Sequence, residues 1–188
     1  MDVLLQSFLL VFASEMGDKT QLLALVLAIK FKRPWVIMWG ILTATLLNHG
    51  LAAYLGVWVS GLIEARYLKG ILSATFFAFS IWILVPDKEE ELKNSNRWGA
   101  FWTTTVSFFF AEMGDKTQLA TIALGARFMI PTSVIFGTTI GMLAADGLAV
   151  FLGESLVKKV PMKRIRWFTA ALFFIFGLLI LLAQPKLN

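Results

Sequence analysis

Two stretches of the chain carry the same seven residues: Glu15-Met16-Gly17-Asp18-Lys19-Thr20-Gln21, and again Glu112 through Gln118. Each brings two carboxylates, an ammonium, a hydroxyl and an amide into an otherwise apolar run. Carboxylate, hydroxyl and amide oxygens form a hard-cation ligand set, suited to Mg²⁺, Ca²⁺ or Mn²⁺. A charged side chain at the centre of a bilayer costs about 2.5–3.5 kcal/mol on insertion scales, so charges at that depth point to function. Four carboxylates less two lysines leave a formal −2, and Asp146, in another apolar run, makes it −3. One divalent cation nearly neutralises that group. Without it, adjacent carboxylates hold protons, because like charges in a poor dielectric oppose joint ionisation. A site that takes metal or protons by turns is the core of an exchanger.

Residues three apart on a helix share a face. A continuous helix therefore points Glu15, Asp18 and Gln21 one way, and Glu112, Asp115 and Gln118 likewise. These six and Asp146 are the expected metal ligands. Lys19 and Lys116 stand four residues after Glu15 and Glu112, so an ion pair within each helix is expected in part; it leaves Asp18 and Asp115 unbalanced. The lysines either orient carboxylates or compete with the ion. Gly17 and Gly114 each weaken a helix by about 1 kcal/mol relative to Ala. They allow either a local break that frees carbonyls or a close helix contact. Met16 and Met113 are either soft ligands, which favour Mn²⁺ over Ca²⁺, or apolar filler. His49 is the one histidine in the chain, and either relays protons or bonds between helices.

The elements that must position these groups follow from composition. Of 188 residues, 58% are hydrophobic and 15% charged, against about a quarter charged in soluble domains. The mean hydropathy is +0.76. Six stretches approach the roughly 20 apolar residues that a membrane span needs: 3–29, 34–60, 67–85, 99–126, 131–157 and 165–184. The fold expected is an all-α integral membrane protein of six transmembrane helices. Residues 1–85 form a first three-helix repeat, 86–97 a cytoplasmic linker and 98–188 a second repeat. The two halves of the chain repeat one another. Shifted by 97 positions, residues 14–84 align without a gap on 111–181, and 24 of the 71 pairs are identical. Asn48 and His49 then fall opposite Ala145 and Asp146. Three spans per repeat make the copies inverted. Loop charges agree, with eleven Lys and Arg on one side and four on the other; the richer side is expected to be cytoplasmic and both termini outside.

Several classes are set aside. The chain has no cysteine, hence no disulfide, thiolate metal site or cysteine nucleophile. The net charge of +5 lies in loops between apolar runs and reads as a topology signal rather than a nucleic-acid footprint. The first apolar run lacks a cationic leader and reads as a retained span. No H-E-x-x-H or G-x-S-x-G occurs, so no enzyme and no cofactor is expected. Uncoupled cation channels and lipid- or protein-binding scaffolds remain as rivals to the exchanger. Oligomeric state is open.

Two copies of E-M-G-D-K-T-Q in a six-span inverted repeat resemble the Gdt-type cation/proton exchangers, whose signature E-x-G-D-[KR]-[ST] occurs twice. Here it is Glu15–Thr20 and Glu112–Thr117, with no departure at the fixed positions. The resemblance implies that Glu15, Asp18, Glu112 and Asp115 bind the transported cation while protons move oppositely, with Thr20, Thr117, Gln21 and Gln118 as supports. The short central loop is similar to that of compact bacterial members. That implies Mn²⁺ efflux across a bacterial plasma membrane, with Ca²⁺ as the alternative cargo.

Overall fold

The computed structural model describes residues 2–85, 99–153 and 162–183. The expected linker 86–97 lies outside the described residues, as does the end of the fifth expected span. Among the described residues the fold is all-helical. In chain order the helices are α1 (Val3–Glu15), α2 (Lys19–Phe31), α3 (Pro34–Ser60) and α4 (Ala65–Trp82). The second half repeats the order: α5 (Ala100–Glu112), α6 (Lys116–Phe128), α7 (Pro131–Leu152) and α8 (Met162–Leu182). Pro34 and Pro131 open α3 and α7, where a proline loses no hydrogen bond. Among the described residues, three helices are long and apolar enough to cross a membrane: Pro34–Ser60, Pro131–Leu152 and Lys163–Leu182.

The first and fourth expected spans are not continuous helices, which corrects the sequence reading. Each is cut at the motif into two helices of 13 residues. Gly17 and Gly114 both take φ = +80°, a left-handed conformation open to glycine at little cost. Asp18 and Asp115 are extended N-cap residues of α2 and α6. Of the two readings of these glycines, the chain break is the one observed. A 13-residue helix is about 20 Å long and cannot span the hydrocarbon core alone.

Packing joins the two halves of the chain rather than separating them. Helix α1 lies along α7, α5 and α6 lie along α3, α3 meets α7, and α4 meets α8. Glycines permit close backbone approach, as in membrane helix pairs. A Cβ on Gly56 would lie 2.0 Å from the Ile122 carbonyl oxygen, and one on Gly137 would lie 2.4 Å from that of Leu4. Several contacts are reciprocal under the 97-residue shift. Gly137 faces Leu4 and Ser7, while Gly40 faces Phe101 and Thr104. Phe76 packs on Phe176 as Phe79 packs on Phe173. Thr45, Phe76 and Phe77 each touch their own counterparts, Met142, Phe173 and Phe174. Such exchange, with i on j and j on i, is the mark of a two-fold relation. The phenylalanines form the core between α4 and α8. Trp35, Trp39, Trp58, Trp102 and Trp167 are exposed, as residues of a lipid-facing belt are.

Candidate metal-binding site

The two chain breaks meet. Glu15 ends α1 and Glu112 ends α5. Carboxylate oxygens of Glu15, Glu112 and Asp115 all lie within 4.8 Å of one another, and all three residues are buried. The break explains how Asp115 joins the group. As an N-cap residue its side chain would ordinarily turn back to the first turn, yet neither Asp115 nor Asp18 makes that bond. The glutamines cap instead. The Gln21 side-chain oxygen accepts the Gly17 N–H at 3.0 Å, and that of Gln118 accepts the Gly114 N–H at 2.7 Å. Gln21 Nε2 donates to the Ala145 carbonyl at 2.9 Å, which ties the first break to α7. The structure thus gives both amide oxygens to the backbone of the breaks.

The acids differ in their partners. Glu15 accepts hydrogen bonds from Thr20, at 2.7 Å, and from Thr117 of the other motif. Glu112 is fully buried, and neither of its oxygens has a hydrogen-bond partner among the described residues. The same holds for both oxygens of Asp146. Glu112 lies beside Glu15 and Asp115 in the converging group. Asp18 is half-buried and lines a small cavity with Met16, Lys116 and Arg166. Isolated buried carboxylates cost several kcal/mol unless a proton or cation compensates them. Within the converging group, Glu112 is the carboxylate with neither oxygen hydrogen-bonded among the described residues.

The chain is similar to known proteins along most of its length. The family described as "Divalent cation/proton antiporter GDT1" matches residues 3–91 and 100–187. The chain belongs to this family of divalent cation/proton antiporters. A Vibrio cholerae protein named "Putative manganese exporter" is 44% identical over 179 residues, covering 95% of this chain and 90% of its own. GDT1-like protein 5 of Arabidopsis thaliana is 29% identical over 212 residues, covering 92% of both chains. A GDT1-like protein of Synechocystis is 27% identical over 194 residues, covering 90% of this chain and 91% of its own. No solved structure matches the chain.

In this antiporter the ion pair that Lys19 makes is with the other motif rather than with Glu15. Lys19 Nζ lies 3.9 Å from Asp115 Oδ1, across the two breaks. The reason is local: four-residue spacing brings side chains together only on an unbroken helix. Lys116 Nζ donates to the Val85 carbonyl at 3.2 Å and lies 5.7 Å from the centre of the Trp82 ring. Met16 receives a weak bond from Gln21 Nε2 at 3.7 Å, while Met113 is exposed. His49 is fully buried, with neither ring nitrogen hydrogen-bonded among the described residues. Its neighbour Asn48 donates to the Phe109 carbonyl at 3.0 Å. Sequence reasoning missed Ser14, whose hydroxyl lies 3.3 Å from that of Thr117. Its counterpart is Ala111, so the repeat gave no signal. It also missed Thr169, which donates to the Ala13 carbonyl at 2.8 Å and secures the last turn of α1.

Proposed function

We propose that this antiporter exports Mn²⁺ in exchange for protons, through a site where the two motif breaks meet near the bilayer midplane. Glu15, Glu112 and Asp115 are the central ligands, and Asp18 and Asp146 complete the anionic group. Thr20 and Thr117 hold Glu15, and Gln21 and Gln118 hold the breaks. His49 acts as a support on α3. The observation that carries this reading is Glu112: a fully buried carboxylate, without a hydrogen-bond donor, inside a converging acid group. Broken helices that aim their ends at a central ion are a recurrent device of secondary transporters. The reciprocal contacts between halves support six spans arranged as two inverted three-helix repeats. In that arrangement the loops with most Lys and Arg face the cytoplasm, and both termini lie outside.

Metal enters from the cytoplasmic side and the acids shed protons to bind it, as metal sites built on acids must. Rocking of one repeat against the other turns the site outward, where protons displace the metal. Moving two charges out against 100 mV, negative inside, costs about 4.6 kcal/mol. Exchange for two protons cancels that electrical cost. The test is proton flux in proteoliposomes with Mn²⁺, Ca²⁺ and Mg²⁺ added in turn. Mn²⁺ is expected to drive the largest flux, and an imposed pH gradient, acid on the release side, is expected to accelerate metal uptake into vesicles. Flux that follows voltage and the metal gradient alone, blind to pH, defeats the exchanger and leaves a channel. Acid on the metal-binding side should weaken binding, because proton and metal compete for the same oxygens.

A Ca²⁺/H⁺ exchanger of the same mechanism is the second reading. Two observations favour it: the three converging acids offer hard carboxylate oxygens, and Met113 is exposed. The flux series ranks the two ions directly.

A further inference from the structure

The two motif lysines hold repeat-equivalent positions and different partners. Lys19 is the first residue of α2, immediately after the break. Its ammonium reaches across to Asp115, on the other motif, at 3.9 Å. Asp115 is one of the three acids whose oxygens converge within 4.8 Å. An internal cation therefore already rests on a carboxylate of the proposed metal site. Two threonine hydroxyls hold the carboxylate of Glu15, four residues before Lys19, and the ion pair that Lys19 makes is with Asp115. Lys116 is meanwhile drawn to the end of α4 by the Val85 carbonyl and the Trp82 ring.

We propose that Lys19 is a tethered counter-cation: it occupies Asp115 when the site holds no metal and is displaced when a divalent cation binds. This rests on the reading of the acid group as the transport site. A divalent ion and an ammonium that share one carboxylate in a poor dielectric repel strongly. The two occupants are therefore alternatives. The protein must also return without metal, carrying the protons it exchanges, and a carboxylate left ionised beside them is costly in a poor dielectric. Lys19 supplies one positive charge for that step and needs no ion from solution. Lysine suits the task. It is a compact charge on a flexible stem that can swing aside, whereas an arginine grips a carboxylate with a rigid two-pronged fork.

The substitutions at Lys19 therefore have opposite expected effects. In proteoliposomes, Lys19→Gln removes the competitor, so the KM for Mn²⁺ falls about tenfold, a modest share of the charge repulsion relieved, while kcat falls. Lys19→Arg holds Asp115 more firmly, so KM rises. A purely structural lysine gives no such ordering. A KM for Lys19→Gln that is unchanged or raised overturns the proposal. Should that variant fail to fold, the wild-type protein decides. Acetylation of Lys19, followed by peptide mass spectrometry, is expected to accelerate when Mn²⁺ is added; no acceleration overturns the proposal. A wild-type protein that moves no divalent cation overturns the transport reading itself. A wild-type protein that moves Mn²⁺, with KM blind to both substitutions, overturns the counter-cation alone.

Discussion

The two copies of the motif are identical over seven residues and are held differently. Glu15 takes hydroxyl donors from both copies, Thr20 and Thr117, whereas Glu112 takes none among the described residues. Lys19 crosses to Asp115, whereas Lys116 reaches Val85 and Trp82. Asp18 borders a cavity, whereas Asp115 is buried. Sequence identity therefore supplies equal inventories, and the neighbours of each copy decide how they are divided. Among the described residues the carboxylate oxygens left without a donor, those of Glu112 and Asp146 and Oδ2 of Asp115, all lie in the second half of the chain.

The largest expected effects come from breaking that contrast at the glutamates. Glu112→Gln and Glu15→Gln should each remove Mn²⁺ transport by more than the about 10–100-fold that outer-shell partners of a metal cost. Their effects on the metal-free protein should differ. Glu15→Gln leaves two hydroxyls to share one carbonyl oxygen and loses a bond to a charged group, worth about 1.5–3 kcal/mol. Glu112→Gln replaces a buried carboxyl group that had no donor among the described residues, so stability should hold or rise. Thermal unfolding in detergent without metal measures both. Equal destabilisation by the two changes would show that the division of donors has no energetic weight.

A smaller effect is expected at the break itself. Gly114 has φ = +80°, and a Cβ added there meets nothing within 4 Å. Gly114→Ala thus carries a backbone penalty alone, about 1–2 kcal/mol for an L-residue in the left-handed region. Gly114→Asn should lose less, since asparagine tolerates that region better. The contrast is Gly56→Ala, whose Cβ would lie 2.0 Å from the Ile122 carbonyl oxygen. That change must push α3 from α6 and should cost more. Unfolding temperatures of the three variants give the order, and Gly114→Ala as the worst would point to packing rather than conformation.

Much of this was legible in the chain. The seven-residue repeat named Glu15, Glu112 and Asp115, and charge in an apolar run gave the reason to watch them. The prolines at 34 and 131 marked the starts of α3 and α7. The break was only half legible. A glycine between two helix formers signals weakness, but Gln21 and Gln118 convert weakness into a turn, and their role as caps depends on where the Gly17 and Gly114 amides point. The helical-face argument failed there, since three-residue spacing means nothing across a chain reversal of φ. Partner choice was the least legible. Lys19 finds Asp115 through tertiary packing of two distant segments, which no local spacing encodes.

The smallest expected effect tests why the lysines part company. Their flanking helices are repeat counterparts, and the shift of 97 places Leu179 where Trp82 stands in the first half. An ammonium over an indole face gains about 0.5–1 kcal/mol at partly exposed sites. Leucine at position 82 offers no such face. Trp82→Leu should therefore loosen Lys116 and release positive charge toward Asp18, which lines the same cavity. The charge opposes an incoming metal ion, so the KM for Mn²⁺ should rise about two- to fivefold, that same energy read as an affinity ratio. Trp82→Phe keeps a ring face and should fall between wild type and Trp82→Leu. An unchanged KM in both would show that the Trp82 ring does not hold Lys116, and the contrast between the two copies would then lie elsewhere than in that aromatic residue.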